Sequence, residues 1–164
     1  MLTPQRDIAP IEAQPTRVPW PPLLLAATAA GALWLGHVMP LPWPGLDDGA
    51  ARFIGLGFGV IGIGLIAWAV LVMARAGTTI LPTGKARALV TTGPFARLRN
   101  PIYVGDVLLL LAAAEITKSI WFVLLAPLFV LLVTWLQILP EERHLEALFG
   151  EEYRRYKERT RRWL

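Results

Sequence analysis

The chain has 164 residues, of which 55% are hydrophobic and only 17% are charged, whereas a soluble domain carries roughly a quarter charged residues. It has no cysteine and two histidines, which excludes disulfides, thiolate metal sites and a cysteine nucleophile, and we expect no metal centre. The formal net charge is +4, but the basic residues lie beside apolar runs, where anionic lipid head groups account for them without nucleic acid. The composition therefore predicts one integral membrane domain.

In chain order, residues 1–19 contain four prolines and no apolar periodicity, which predicts a mobile N-terminal arm. Residues 20–164 are predicted to form a single all-α membrane domain. We expect about four transmembrane helices followed by an amphipathic cytoplasmic helix, near residues 21–38, 53–74, 102–116, 119–139 and 141–160.

The lengths of the apolar runs set the expectation for each helix. The 22 residues of 53–74 and the 21 of 119–139 meet the roughly 20 that a membrane crossing needs. The run at 21–38 is close to that length and is followed by prolines rather than a small-residue cleavage site, so we expect a retained helix and not a signal peptide. The run at 102–116 reaches only about 22 Å. We expect it to extend into its flanks or meet a thinner bilayer, as the first arm of a hairpin that turns at Thr117–Ser119.

The basic residues indicate an orientation. The N-terminal arm, the loop after the second helix and the C-terminal segment together hold 14 of the 16 lysines and arginines. Four crossings place these three segments on one face, which the positive-inside rule assigns to the cytoplasm. We therefore expect both termini in the cytoplasm and the chain in the inner membrane of a bacterium or archaeon.

Glycines recur in the second helix, five of them between residues 55 and 64. They lie at membrane depth with no strand before them, so they indicate close helix packing rather than a nucleotide-binding turn. Such packing permits self-association without requiring it, and the oligomeric state stays open.

A first polar cluster lies in the segment from Gly93 to Gly105, on the predicted cytoplasmic side. Pro101 suits the first turn of a helix, with Asn100 before it as N-cap. The unpaired N–H groups of a helix start attract an anion such as a carboxylate, and Arg99 and Tyr103 would lie close by. The alternative is that Asn100 only caps the helix and that the arginines only meet lipid phosphates.

A second cluster, Glu141-Glu142, lies where the last membrane helix is predicted to end. A charged group in that position often faces a functional cavity, and the carboxylate of Glu141 suits either the two hydroxyls of a ribose or a cationic ligand. The alternative is that both acids only stabilise a helix start through its dipole. Asp106 is a further candidate, with the same alternative.

Read together, the two clusters carry a family resemblance. The motifs Gly-Pro-Phe-x3-Arg-Asn-Pro-x-Tyr-x-Gly and Glu-Glu-x2-Leu-x3-Phe-Gly-x2-Tyr-x2-Tyr, separated by a hydrophobic hairpin, resemble those of the isoprenylcysteine carboxyl methyltransferase family and the related phospholipid N-methyltransferases. The resemblance covers about residues 77–164. It implies an integral membrane enzyme that uses S-adenosylmethionine. With the neighbouring Arg99 and Glu142, it implies a cofactor-binding set of Arg87, Ala88, Leu89, Val90, Phe95, Arg99, Asn100, Pro101, Ile102, Tyr103, Glu141 and Glu142.

The chain departs from the prenylcysteine enzymes at two positions. Asn100 stands where they usually have histidine, although asparagine still supplies a hydrogen-bond donor and Asn-Pro is similar to the phospholipid branch. Gln137 stands where they have an arginine that meets the substrate, one turn before the carboxylates. Glutamine does not pair with an anion as arginine does, so Gln137, the candidate substrate residue, weighs against a prenylcysteine carboxylate.

The leading hypothesis is a membrane methyltransferase that moves a methyl group from S-adenosylmethionine to a lipid or lipidated acceptor. The alternatives are a phospholipid or small-amine N-methyltransferase, and a non-catalytic membrane protein that keeps the fold. Methyl transfer from a sulfonium needs alignment and a dry site rather than a metal or a covalent nucleophile. No catalytic residue is assigned. An amine acceptor would lose a proton to Glu141, Glu142 or water, whereas a carboxylate acceptor needs no base.

Overall fold

The computed structural model describes residues 18–43, 49–77 and 88–164. These residues form helices and the loops between them, and they contain no strand. Most of the predicted N-terminal arm lies outside the described residues. We number the α-helices α1 (Trp20–Val38), α2 (Gly49–Arg75), α3 (Pro101–Thr117), α4 (Ile120–Val133), α5 (Leu139–Phe149) and α6 (Glu151–Arg159), with a 3-10 turn at Gly93–Ala96 and a π-helical turn at Thr134–Ile138.

Three helices in the described part of the chain are long and apolar enough to cross a membrane. They are α1, α2 and the continuous helical run Ile120–Phe149. Helix α3 has 17 residues, which extends it beyond the predicted run at both ends to about 25 Å. It remains shorter than these three, so the structure confirms an all-helical chain with three candidate spans, and the fourth crossing stays a prediction.

The long helices pack in the order α2, α3, α4, α1, with α3 lying mainly along α2. Two glycines allow α2 and α3 to approach closely, because a Cβ added to Gly105 would lie 2.9 Å from the Gly62 carbonyl oxygen and 2.5 Å from Cγ1 of Ile66. Close approach of backbones through small residues is the usual basis of helix packing in membranes. The predicted packing role of these glycines is thus confirmed at Gly62.

The predicted hairpin between α3 and α4 is confirmed. Helix α3 ends at Thr117, Lys118 adopts the left-handed conformation with a φ of 52°, and α4 begins at Ile120. The hairpin arms meet in an apolar core in which Leu110 of α3 packs among residues of α4 such as Phe129 and Val133.

The fourth predicted helix does not end at residue 139. Helix α4 runs through the π-helical turn directly into α5, and the Leu139 N–H bonds the Thr134 carbonyl five residues back. Pro140 explains the wider turn, because its ring has no N–H and crowds the carbonyl four residues earlier. Glu141 and Glu142 therefore lie inside a continuous helical run rather than at its end.

The predicted amphipathic helix 141–160 is wrong as a single helix. It is divided into α5 and α6 at Gly150, whose φ is +54°. Glycine adopts this conformation without the steric cost that a Cβ would impose. The break turns α6 back, so that its tyrosines Tyr153 and Tyr156 are buried. The contact of this segment with the membrane surface stays a prediction.

Candidate active site

Helix α3 begins at Pro101 as predicted, but Asn100 does not cap it through its side chain. The Asn100 Nδ2 instead donates a hydrogen bond of 3.0 Å to the carbonyl oxygen of Arg162. The first backbone bond of the helix is made by the N–H of Val104, to the Asn100 carbonyl. The N–H groups of Ile102 and Tyr103, within the described structure, have no hydrogen-bond partner, as the first turn of an uncapped helix leaves them.

Glu142 joins the start of α3 to the C-terminal tail. Its carboxylate accepts hydrogen bonds from Nε of Arg99 at 3.1 Å and from Nε and Nη2 of Arg162 at 3.0 and 2.7 Å. Glu142 is only 6% exposed. A carboxylate can be buried in this way because the two arginine cations compensate for its loss of hydration. The Asn-Pro helix start and the twin glutamates, far apart in sequence, therefore lie together at one end of the bundle.

The C-terminal tail, residues 160–164, returns alongside the segment before α3. Arg161 bridges Arg97 and Arg99 through two backbone hydrogen bonds of 2.8 and 2.9 Å. The Nη1 of Arg99 donates to the carbonyl oxygens of Lys157 and Thr160, at 3.0 and 2.6 Å. Arg99 is thus bound by three parts of the fold, namely α5, α6 and the tail.

Phe95 is held from the other side by α6. The buried Tyr156 hydroxyl donates a hydrogen bond of 2.8 Å to the Phe95 carbonyl, and Thr160 donates from its hydroxyl to the Tyr156 carbonyl at 2.7 Å. Burial raises the pKa of Tyr156 to about 12, so it stays a neutral donor. The 3-10 turn before α3 is therefore anchored on the C-terminal helix.

Gln137 and Glu141 lie one above the other where the π-helical turn meets α5. The Nε2 of Gln137 donates a long hydrogen bond of 3.4 Å to Oε2 of Glu141. Gln137 is 2% exposed and Glu141 is partly buried. The π-helical turn, a feature that occurs frequently at functional sites, sets the direction of both side chains.

Two further ionisable side chains, Tyr103 and Asp106, lie in the first two turns of α3. Tyr103 is partly buried and packs against the apolar core. Asp106 is 7% exposed and makes no hydrogen bond or ion pair to any described residue. Its place three residues after Tyr103 puts the two side chains on one face of α3.

The remaining members of the predicted set are placed less closely. Arg87 lies outside the described residues. Ala88, Leu89 and Val90 are partly buried, and no hydrogen bond in the described structure links them to the glutamates. Pro101 is fully buried and Ile102 is partly buried at the helix start.

Sequence reasoning missed the tail residues Thr160 and Arg162. They belong to a run of basic residues that resembles a lipid-binding segment, and a single sequence does not tell a solvated arginine from one that pairs across the fold. The sequence signal that could have found them was the adjacent acids Glu141-Glu142, since an acid that becomes buried needs a cation.

The described architecture is that of an all-helical chain with three candidate membrane spans and a polar site at one end of the helices. The family profile described as phospholipid methyltransferase matches residues 50–152, which is more than half of the chain and includes α2 to α5. The chain therefore belongs to the phospholipid methyltransferase family. This confirms the resemblance drawn from the two motifs.

One curated relative is an uncharacterized protein of Haemophilus influenzae, 54% identical over 37 residues. The match covers 23% of this chain and 59% of that protein, so it spans little more than half of the relative's length. No solved structure matches the chain.

Proposed function

We propose that this protein uses S-adenosylmethionine to methylate an acceptor embedded in the membrane. The observation that carries the proposal is the 3.1 Å ion pair between Arg99 and Glu142, because it brings the helix start of α3 and the twin glutamates into one site. That end of the fold also carries the basic C-terminal segment. Its orientation toward the cytoplasm is part of the proposal.

The groups at this site fit the cofactor. The unpaired N–H groups of Ile102 and Tyr103 suit the carboxylate of its methionine part, since a helix start attracts anions. Glu141 has one carboxylate oxygen without a partner in the described structure and suits the vicinal hydroxyls of the ribose. Arg87 and Ala88–Val90 join the set through the resemblance alone.

When bound, S-adenosylmethionine supplies a methyl group on a positively charged sulfur. The chain's contribution is to align the reactants and exclude water. Alignment of two bound reactants is worth up to about 7–11 kcal/mol in favourable cases. Tyr103 and Leu110 contribute to the water-free side of the site, because both pack into the apolar core beside α4.

Among lipid acceptors, the site favours an amine. Gln137 is neutral where an anionic acceptor would need a cation. The two arginines described here, Arg99 and Arg162, are already bound to Glu142. Glu141 adds a negative charge, which attracts a positively charged nitrogen and repels a carboxylate. An N-methyltransferase acting on a lipid amine is therefore better supported than a prenylcysteine carboxyl methyltransferase.

The proposal is tested by giving the purified protein in phosphatidylcholine vesicles a methyl-deuterated cofactor. One set of vesicles contains a phospholipid with a primary amine and the other a prenylcysteine, and lipid products are identified by mass spectrometry. We expect the label on the amine lipid, and its loss with Glu141→Gln. Label on the prenylcysteine alone would overturn the amine assignment. A folded parent protein that labels neither acceptor and binds no cofactor would favour the non-catalytic alternative.

A further inference from the structure

Asp106 is a buried acid that the site described above leaves unexplained. It is the sixth residue of α3 and is 7% exposed, and it has no hydrogen-bond or ion-pair partner in the part of the chain that the structure describes. The other buried acid, Glu142, is matched by two arginines. Asp106 therefore differs from it in lacking a compensating group among the residues described.

The surroundings of Asp106 make this absence costly. Its neighbour Gly105 packs against Gly62 and Ile66 of α2, and Leu110, one turn further along α3, lies in the apolar core. A carboxylate without a partner in such surroundings is strongly disfavoured. Ionisable residues inside membrane helices almost always mark substrate or ion sites for this reason.

The position of Asp106 suits the acceptor better than the cofactor. Glu141 is next to Glu142, whose carboxylate binds Arg99 and the tail residue Arg162. Asp106 is about 7.5 Å along α3 from its first residue, Pro101, and one turn before Leu110 of the apolar core. A water-soluble cofactor enters from the side of the polar tail contacts, and a lipid acceptor reaches the site from the side of the apolar core.

We propose that Asp106 binds the positively charged nitrogen of the acceptor and thereby selects an amine over an anionic acceptor. This inference rests on the proposed function and names the residue that determines its specificity. The acceptor's ammonium group forms an ion pair with the Asp106 carboxylate and then transfers one proton to it. One N–H bond breaks and one O–H bond forms, which leaves a neutral carboxylic acid and a neutral amine with a free lone pair.

The first test measures binding alone. Detergent-solubilised parent protein, Asp106→Asn and Glu115→Gln are titrated with dodecylamine and, separately, with dodecanoate. Glu115→Gln is the matched control because it removes one negative charge from the same helix, about 13 Å away along its axis, where Glu115 is paired with Lys118.

We expect the parent and the control to bind the amine at least about tenfold more tightly than Asp106→Asn does, since truncating one partner of a buried charge pair costs that much or more. Binding of dodecanoate should stay weak or increase in Asp106→Asn. Equal amine affinity in all three proteins would overturn the proposal, as would an equal loss in both variants.

The second test separates this inference from the proposed function. The same three proteins are titrated with S-adenosylhomocysteine, and methyl transfer to the amine lipid is measured. We expect Asp106→Asn to bind S-adenosylhomocysteine as the parent does, while its KM for the amine lipid rises at least about tenfold. If Asp106→Asn instead loses S-adenosylhomocysteine binding with an unchanged acceptor KM, Asp106 serves the cofactor and the proposal is wrong. If the parent transfers no methyl group but Asp106→Asn still loses dodecylamine, the proposed function fails and the amine site stands.

Discussion

Removing the charge of Glu142 should release the C-terminal tail and destabilise the protein. In Glu142→Gln the side chain keeps its shape but loses the negative charge that binds Arg99 and Arg162. The Arg99 side chain is 12% exposed and that of Glu142 is 8% exposed, so Arg99 would remain nearly buried with its main counter-charge gone. This is the costly way to break an ion pair, because the remaining charge is not hydrated.

The expected loss of unfolding free energy is the sum of one contribution from each arginine. Breaking a buried pair by removing one partner costs about 3–5 kcal/mol. The lower end applies to Arg99, because it keeps its bonds to the carbonyls of Lys157 and Thr160. The Arg162 side chain is 37% exposed and regains water when freed, so its pair adds only about 0.5 kcal/mol. We expect Glu142→Gln to lower the free energy of unfolding by about 3–4 kcal/mol.

The assay is unfolding in mixed micelles followed by circular dichroism, with limited trypsin digestion to detect release of the tail. Glu151→Gln is the matched control, because the Glu151 side chain is 63% exposed and pairs with Arg154 and Arg155 on the surface of α6. The control should stay within about 1 kcal/mol of the parent. A loss in Glu142→Gln no larger than in this control, with a tail that resists trypsin, would refute the reasoning.

Three further predictions concern packing, the C-terminal helix and the tail. Gly105→Ala should lower the free energy of unfolding by about 1–3 kcal/mol, because the added Cβ clashes with Ile66. The control Gly64→Ala should match the parent in the same micelle assay, because its added Cβ has nothing within 4 Å. Tyr156→Phe removes a buried hydrogen bond and should cost about 1–2 kcal/mol at neutral pH. Because burial raises the pKa of Tyr156 from 10.0 to about 12, the folded state favours the neutral form, and its stabilisation is present below pH 10 and lost as the pH rises to about 12. The parent should therefore lose stability faster than Tyr156→Phe over that range, and parallel pH curves would contradict this. Deleting residues 160–164 should weaken S-adenosylhomocysteine binding in a titration of otherwise folded protein, since the start of α3 loses the backbone hydrogen bonds that position it. Unchanged affinity would contradict that role.

The sequence located the long apolar helices well because their signal is local. Hydrophobic runs and their flanking prolines located α1, α2 and the α3–α4 hairpin within a few residues. The start of α3 at Pro101 was equally local, because proline favours the first turn of a helix. What the sequence could not supply was the partner of Asn100, which lies in the tail and depends on how α6 folds back.

The C-terminal region shows where pattern reasoning reached its limit. Apolar residues recur at steps of three or four from Leu145 to Tyr156, which indicated one amphipathic helix. This periodicity does not reveal the break at Gly150. The face predicted to lie on the membrane surface includes Tyr153 and Tyr156, which are buried in the protein. Periodicity finds an apolar face and does not say what covers it.

The site residues were predictable as a group but not in their roles. The two acids were paired in the prediction, yet in the structure Glu142 binds Arg99 and Arg162, whereas Glu141 has one carboxylate oxygen without a partner among the described residues. Pro140 carried a usable signal, since a proline inside a membrane helix often marks a wider turn with free backbone groups. The prediction placed the end of the membrane helix at residue 139, just before this proline.

The claim that the start of α3 and Glu141 form one cofactor site is tested most directly by titrating the purified protein with S-adenosylhomocysteine. Glu141→Gln is compared with the parent and with Glu146→Gln, which alters an acid of the same helix that pairs with Lys157 near the surface. We expect Glu141→Gln to bind at least about tenfold more weakly, because hydrogen bonds to a charged acceptor contribute about 1.5–3 kcal/mol each. We expect Glu146→Gln to bind as the parent does. Equal affinity in Glu141→Gln and the parent would contradict the claim.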